Sequence, residues 1–192
     1  MPTEREIKLR YDSADEAREQ ILALGAAPLL GRRLQEDCLF DTEDERLRRE
    51  RSTLRMRSEG GKALLTWKGP VIEGVVKIRE EYETVVADGA VLQTILEELG
   101  LHIWFRYEKY REEFTMNDVT IAIDETPVGV FVEIEGGEDA IHETAAALGV
   151  LMVTRNILPP LIGMPILPAY LSTVLADARR WRTTSRMRSI SR

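Results

Sequence analysis

Pro2-Thr3-Glu4-Arg5-Glu6-Ile7-Lys8-Leu9-Arg10 is the stretch on which the reading of this chain turns. Strand side chains change face at every residue, so Glu4, Glu6 and Lys8 share one side while Ile7 and Leu9 share the other. An ordinary half-buried strand orders its apolar residues and leaves its charges scattered. Here the charges are the ordered set.

The same alternation returns downstream. Arg55 and Arg57 alternate with Leu54 and Met56, Thr66 and Lys68 with Leu65 and Trp67, and Lys77, Arg79, Glu81 and Glu83 with Ile78 and Tyr82. Lys109 and Arg111 flank Tyr110, Asp124 follows Ile121 and Ile123, and Glu133 and Glu135 alternate with Val132 and Ile134. Strands are predicted over 33–41, Ser52–Ser58, Lys62–Lys68, Lys77–Val86, Tyr107–Phe114, Val119–Asp124 and Val128–Glu135, with turns at Glu59-Gly60-Gly61 and Met116-Asn117-Asp118. Ser13-Ala14-Asp15-Glu16 reads as a capping box for a helix carrying Ala17, Ile21 and Leu24 and stopped by Gly25. A second helix is predicted from Asp88 to before Gly100, with Val91, Leu92, Ile95, Leu96 and Leu99 as its apolar face. A third is predicted from about Asp139 to Leu148, and the charged run Thr42 to Glu50 reads as a solvated hairpin loop. The element order is that of an α+β protein.

With 192 residues the chain suits one domain with a real core, and a net charge of -7 weighs against general nucleic-acid binding. Cys38 is the only cysteine, so no internal disulfide can form, and a cytoplasmic location is expected. It reads as a small buried hydrophobe. The start, MPTEREIK, lacks the apolar core of a secretory signal. The run Ile157 to Leu171 is broken by Pro159, Pro160, Pro165 and Pro168, so no membrane role is expected. A main domain is predicted over 1–153, then a Pro-rich segment with a closing helix over 154–178, helical near Ala169 to Ala178. The Arg- and Ser-rich 179–192 reads as a disordered basic tail.

Two arrangements could produce charged strand faces. A sheet could pack its apolar side on helices and show its charges to water. Alternatively it closes into a barrel, with the charged faces meeting across a wet lumen and three helices covering the outside. Composition favours the barrel. An exposed face mixes Lys, Glu, Thr and Ser without order, whereas here paired carboxylates sit at both ends of the chain and paired Arg or Lys in the middle.

Neighbouring carboxylates repel unless a cation intervenes, and oxygen ligands without His or Cys suit Mg²⁺ or Mn²⁺. Clustered Arg and Lys call for an anion, and the planar guanidinium matches phosphate oxygens two at a time. Both sets together suit a metal-bound polyphosphate. Gly60-Gly61 lacks the Lys-Ser/Thr continuation of a phosphate loop, so recognition falls to side chains.

In these residues the chain resembles the CYTH, or triphosphate tunnel metalloenzyme, family, which includes class IV adenylyl cyclases, thiamine triphosphatases and inorganic triphosphatases. The matching motifs are Glu4-x-Glu6-x-Lys8, Leu54-Arg55-Met56-Arg57, Thr66-Trp67-Lys68-Gly69-Pro70 and Arg79-Glu80-Glu81-x-Glu83. Lys109-Tyr110-Arg111, Ile123-Asp124-Glu125 and Gly129-x-Phe131-x-Glu133-Ile134-Glu135 follow in family order, and the likeness covers roughly residues 2 to 150. It implies a closed antiparallel β-barrel holding the triphosphate inside. It also implies that Glu4, Glu6, Glu133 and Glu135 hold divalent ions with Asp124 helping, and that Lys8, Arg55, Arg57, Lys68, Lys109 and Arg111 grip phosphates. Arg79, Glu81 and Glu83 are expected to line the lumen, Arg79 also as a phosphate ligand. Glu4, Glu6, Lys8 and Lys68 form the expected catalytic set. The chain departs from the family at Thr154-Arg155-Asn156-Ile157-Leu158-Pro159-Pro160, where members carry a Ser-Tyr segment; here Tyr170-Leu171 comes only later.

The expected activity is metal-dependent hydrolysis of inorganic tripolyphosphate, thiamine triphosphate or a nucleoside triphosphate. Cyclisation of ATP to cyclic AMP and pyrophosphate is the alternative, and a non-catalytic polyphosphate- or nucleotide-binding module is a third reading. A homodimer is compatible with such a fold. His102 and His142 are read as surface or structural residues, and Trp67, Trp104 and Phe131 as packing between barrel and helices.

Overall fold

The computed structural model describes residues 3–72 and 76–149. Its strands are β1 (Thr3–Tyr11), β2 (Ala27–Thr42), β3 (Thr53–Glu59), β4 (Lys62–Lys68), β5 (Lys77–Val86), β6 (Leu101–Met116), β7 (Val119–Thr126) and β8 (Gly129–Gly136). They close into one antiparallel barrel in the order β1-β5-β4-β3-β2-β6-β7-β8. Closure leaves no sheet edge and gives every strand an inside and an outside. The helices are α1 (Ala14–Ala23), α2 (Arg46–Arg49), α3 (Gly89–Glu98) and α4 (Glu138–Ala147).

Register carries the charges inward together. Residues directly opposite in an antiparallel pair share a face. Glu4 stands opposite Arg79, Glu6 opposite Glu135, and Lys8 opposite Glu133. Lys68 faces Glu81, Arg57 faces Asp37, and Arg111 faces Asp124. The alternate residues point outward and build the core there. Ile7, Leu9, Ile121, Ile123, Val132 and Ile134 are buried with Ala17 and Ile21 of α1 and Ile141 and Ala145 of α4. A smaller cluster of Phe40, Met56 and Leu96 seats α3, with Cys38 and Leu92 against it. Cys38 is only half-buried, and burial pushes its thiol pKa up.

Local chemistry accounts for the ends of α1. Ser13 accepts a hydrogen bond from the Glu16 backbone N–H at 3.1 Å, and Gly25 takes φ +89 at the stop. Gly60 and Gly61, both at positive φ, make the tight turn between β3 and β4.

Several sequence expectations are corrected. Thr42 to Glu50 is not wholly a loop, because Arg46–Arg49 forms a helical turn around buried Asp41, so four helices and not three cover the barrel among the described residues. β2 begins at Ala27 and β6 at Leu101, well before 33 and Tyr107, since the two strands pair along nearly their whole length. The start of α4 at Glu138 agrees with the expected one at about Asp139. Phe131 does not pack under a helix: it shares the inward face with Glu133, opposite Asp124 and Arg10, and Lys8 Nζ lies 5.8 Å from its ring centroid. Trp67 lies beside Tyr82 on the outer face, and Trp104 lies under Arg48 of α2. The predicted C-terminal helix near Ala169 to Ala178 and the tail 179–192 lie outside the described residues.

Candidate active site

The barrel encloses a cavity of about 450 Å³ whose wall carries every predicted site residue: Glu4, Glu6, Lys8, Arg55, Arg57, Lys68, Arg79, Glu81, Glu83, Lys109, Arg111, Asp124, Glu133 and Glu135. The volume is in the ordinary range for a small-molecule site. The two histidines are not in that wall; His102 lies 3.9 Å from Glu43 on the outer surface.

The charges fall into connected groups. In the first, Glu4 accepts from Lys68 Nζ at 2.6 Å and Arg79 Nε at 2.8 Å, while Lys68 also lies 2.7 Å from Glu81. Glu6 accepts from Lys77 Nζ at 2.6 Å, with Arg79 3.9 Å away. Burial pushes Glu4 up, but Lys68 and Arg79 overcome it and hold the carboxyl down to about 2. The Glu135 carboxylate, in the same group, has no ion pair or side-chain hydrogen bond among the described residues. Desolvation, then the charges of Glu4, Glu6 and Glu81, push its pKa up to about 7.

In the second group Asp124 accepts from Lys109 at 2.7 Å and from two nitrogens of Arg111 at 2.6 Å. Glu133 joins Lys8 to Arg111. Burial and then the Arg111 charge drag Lys109 down to about 8, against the pull of Asp124 and Glu133. Burial alone would raise Glu133, yet Lys8, Arg111 and Lys109 hold it well below the usual carboxylate range.

The third group centres on Arg57, which donates twice to Asp37 at 2.8 Å, with both side chains almost wholly buried. Tyr107 adds a hydrogen bond to Asp37, and burial beside that carboxylate pushes the phenol pKa up. Arg55 is less engaged. It donates to Thr66 Oγ1 at 3.2 Å and lies 3.6 Å from Glu83, and its buried Nε has no partner.

Several wall residues were missing from the predicted set: Arg33, Gln35, Lys77, Tyr107 and Glu113, as was Asp37, which stands behind Arg57. Arg33 bridges Glu59 at 2.7 Å and Glu113 at 2.8 Å. A signal for them existed, since Arg33, Gln35 and Asp37 alternate, and Tyr107 and Glu113 continue the inward series of Lys109 and Arg111.

Donor chemistry fits a hard divalent cation in the first group. The ligands are all carboxylates, and Glu135 is an uncompensated one among three others. Even so, no three His, Cys, Asp or Glu side chains among the described residues are gathered tightly enough to close on an ion as they stand, because lysine and arginine already occupy Glu4 and Glu6.

Comparison with known proteins agrees with the closed barrel fold. The CYTH domain matches residues 2–154. The chain belongs to the CYTH family. A relative from Methanocaldococcus jannaschii, named as a candidate adenylate cyclase, is 32% identical over 150 residues, covering 78% of this chain and 85% of its own. The solved structure of the PH1012 protein from Pyrococcus horikoshii OT3 superposes with a TM-score of 0.67 at 25% identity, covering 77% of this chain and 91% of that one. A candidate adenylyl cyclase from Hippeastrum, described as having a dominant triphosphatase activity, superposes at 0.60 with 21% identity, covering 77% of this chain and 88% of its own. At that identity the likeness speaks for the CYTH fold alone. No helix among the described residues is long and apolar enough to cross a membrane.

Proposed function

We propose that the tunnel is the active site of an enzyme that hydrolyses a triphosphate with the help of a divalent cation, Mg²⁺ or Mn²⁺. The supporting observation is the division of the lumen. Lys8, Arg55, Arg57, Lys109 and Arg111 line the cavity that also holds the crowded carboxylates Glu4, Glu6, Glu81 and Glu135. Glu4, Glu6 and Glu135 would hold the ion, with Asp124 and Glu133 available from the second group. Bound there, a hard cation neutralises the phosphate chain and acidifies water.

The side chains supply the rest. Phosphoryl transfer asks mainly for positioning and charge stabilisation. Arg57 is held in one orientation by its two bonds to Asp37, so its remaining N–H groups are pre-aimed. Arg55, with an unpartnered nitrogen, can turn to phosphate oxygens at little cost. Lys8, Lys109 and Arg111 meet the charge that gathers on the transferred group and the leaving oxygen. Lys68, between Glu4 and Glu81, brings a phosphate-seeking ammonium into the carboxylate group itself.

A second reading is favoured by the likeness to the Methanocaldococcus jannaschii protein: ATP held in the same tunnel and cyclised at its α-phosphorus. Incubation with tripolyphosphate, thiamine triphosphate or ATP plus Mg²⁺ or Mn²⁺, with products identified, separates the two. Orthophosphate release is the expected result. Cyclic AMP with pyrophosphate selects the cyclase, and tight binding with no product selects a binding module.

A further inference from the structure

Lys77 has no part in the phosphate-gripping set, yet its ammonium sits 2.6 Å from Glu6 Oε1. Its side chain keeps 39% of its surface open, against 10% for Lys68 and 13% for Arg79, the cations on Glu4. Arg79 reaches Glu6 only at 3.9 Å, so Lys77 is the close partner of that carboxylate. An ammonium on a flexible four-carbon stem at an open position can swing away; a buried guanidinium held by two carboxylates cannot do so as easily. A divalent ion and an ammonium compete for the same oxygen lone pairs.

We propose that Lys77 is a built-in, displaceable counter-ion. It neutralises Glu6 in the metal-free tunnel and is expelled when a divalent ion takes the carboxylate. The proposal rests on the metal-dependent reading above. It explains how Glu4, Glu6, Glu81 and Glu135 stay close without an ion, since repulsion among them is offset by Lys68, Lys77 and Arg79. It also makes the tunnel a poorer ligand for free metal than its carboxylates alone would be.

The test is binding of Mn²⁺ alone to the full chain, followed by calorimetry and by the electron paramagnetic resonance signal of the free ion at constant ionic strength. Lys77→Gln should bind Mn²⁺ about fivefold tighter than wild type or more, the lower end of usual coupling between sites. Lys77→Met, which keeps the apolar stem, should do the same if the glutamine variant folds poorly. Lys77→Arg retains the charge and should stay near wild type. Removing an equal charge at Lys62, exposed on β4, should change affinity little. Wild-type or weaker binding by both neutral variants overturns the proposal, as does equal tightening by Lys62→Gln, which would mean a general field effect. If wild type and variants alike fail to bind Mn²⁺, the metal reading falls and this proposal falls with it, an outcome distinct from the first because there the wild type binds.

Discussion

Asp37 shows how a single side chain can set the shape of a cavity wall without lining it. It is wholly buried and gives both oxygens to Arg57. Asp37→Asn would leave a buried guanidinium without its charge partner, which costs about 3–5 kcal/mol. Burial pushes the Asp37 carboxyl up, but Arg57 outweighs it and brings the group from 3.8 down to about 2. A carboxyl whose folded pKa is depressed contributes stability above its unfolded pKa and loses it as pH falls toward the folded value. Urea midpoints of wild type and Asp37→Asn should therefore differ most at neutral pH and converge as pH falls from about 4 to about 2; a gap constant across that range would separate Asp37 from Arg57. Glu6 tests chemistry where Asp37 tests architecture. Glu6→Gln keeps the size of the side chain and removes the charge that Lys77 and the proposed ion share. Turnover of tripolyphosphate should fall by about two orders of magnitude or more, as when one preorganised electrostatic group is lost. A folded Glu6→Gln enzyme working at wild-type rate would remove Glu6 from the metal set.

Among the elements, those with strict alternation were legible in the sequence. β1, β5 and β8 carry charge and apolar residues on successive positions, and their inward faces follow at once. The first part of β2 was not legible, because Ala27-Pro28-Leu29-Leu30-Gly31 has no alternation and its register shifts between Pro28 and Leu30 and again between Leu30 and Arg33. That segment is a strand because β6 pairs with it, a distant partner that no local pattern reports. Within 33–41 the face was obscured for another reason. Glu36 and Asp37 are both acidic, yet Asp37 is buried inside while Glu36 is exposed. The turn Arg46–Arg49 was hidden by its charges, and its anchor lies five residues before it. Asp41 accepts from the backbone N–H groups of Thr42, Leu47 and Arg48 and from Arg48 Nε, at 2.8 to 3.2 Å. Asp41→Ala should lower stability by about 2–4 kcal/mol, since it strands buried donors, with loss of near-ultraviolet signal from Trp104 under Arg48. A thermal midpoint unmoved by that change would mean the turn holds without its anchor.

At the scale of the whole barrel, the lumen nearly neutralises itself. Lys8, Arg33, Arg57, Lys68, Lys77, Arg79, Lys109 and Arg111 each have a carboxylate within 2.8 Å, and Arg55 has one at 3.6 Å. A triphosphate entering as proposed would therefore exchange partners and would not fall into a bare positive field. Its binding energy is the difference between new pairs and old ones, smaller than a count of cations suggests. Such a ligand would also cross-link strands from around the barrel, because Arg57, Lys109 and Lys8 sit on β3, β6 and β1. Unfolding scatters those groups, so the proposed ligand would bind only the closed form and would stabilise it by mass action. At about a hundred times its Kd the gain is about 2.7 kcal/mol. For a domain of this size each kcal/mol raises the melting temperature by about 2–4 °C. An imido-bridged triphosphate, which resists cleavage, should raise the midpoint by several degrees with Mg²⁺ or Mn²⁺ present, and EDTA should remove much of that rise. Arg57→Gln should show a smaller rise than wild type under the same conditions. Equal stabilisation of the two proteins would place the anion outside the tunnel, and no rise in either would mean that triphosphate is not what this lumen binds.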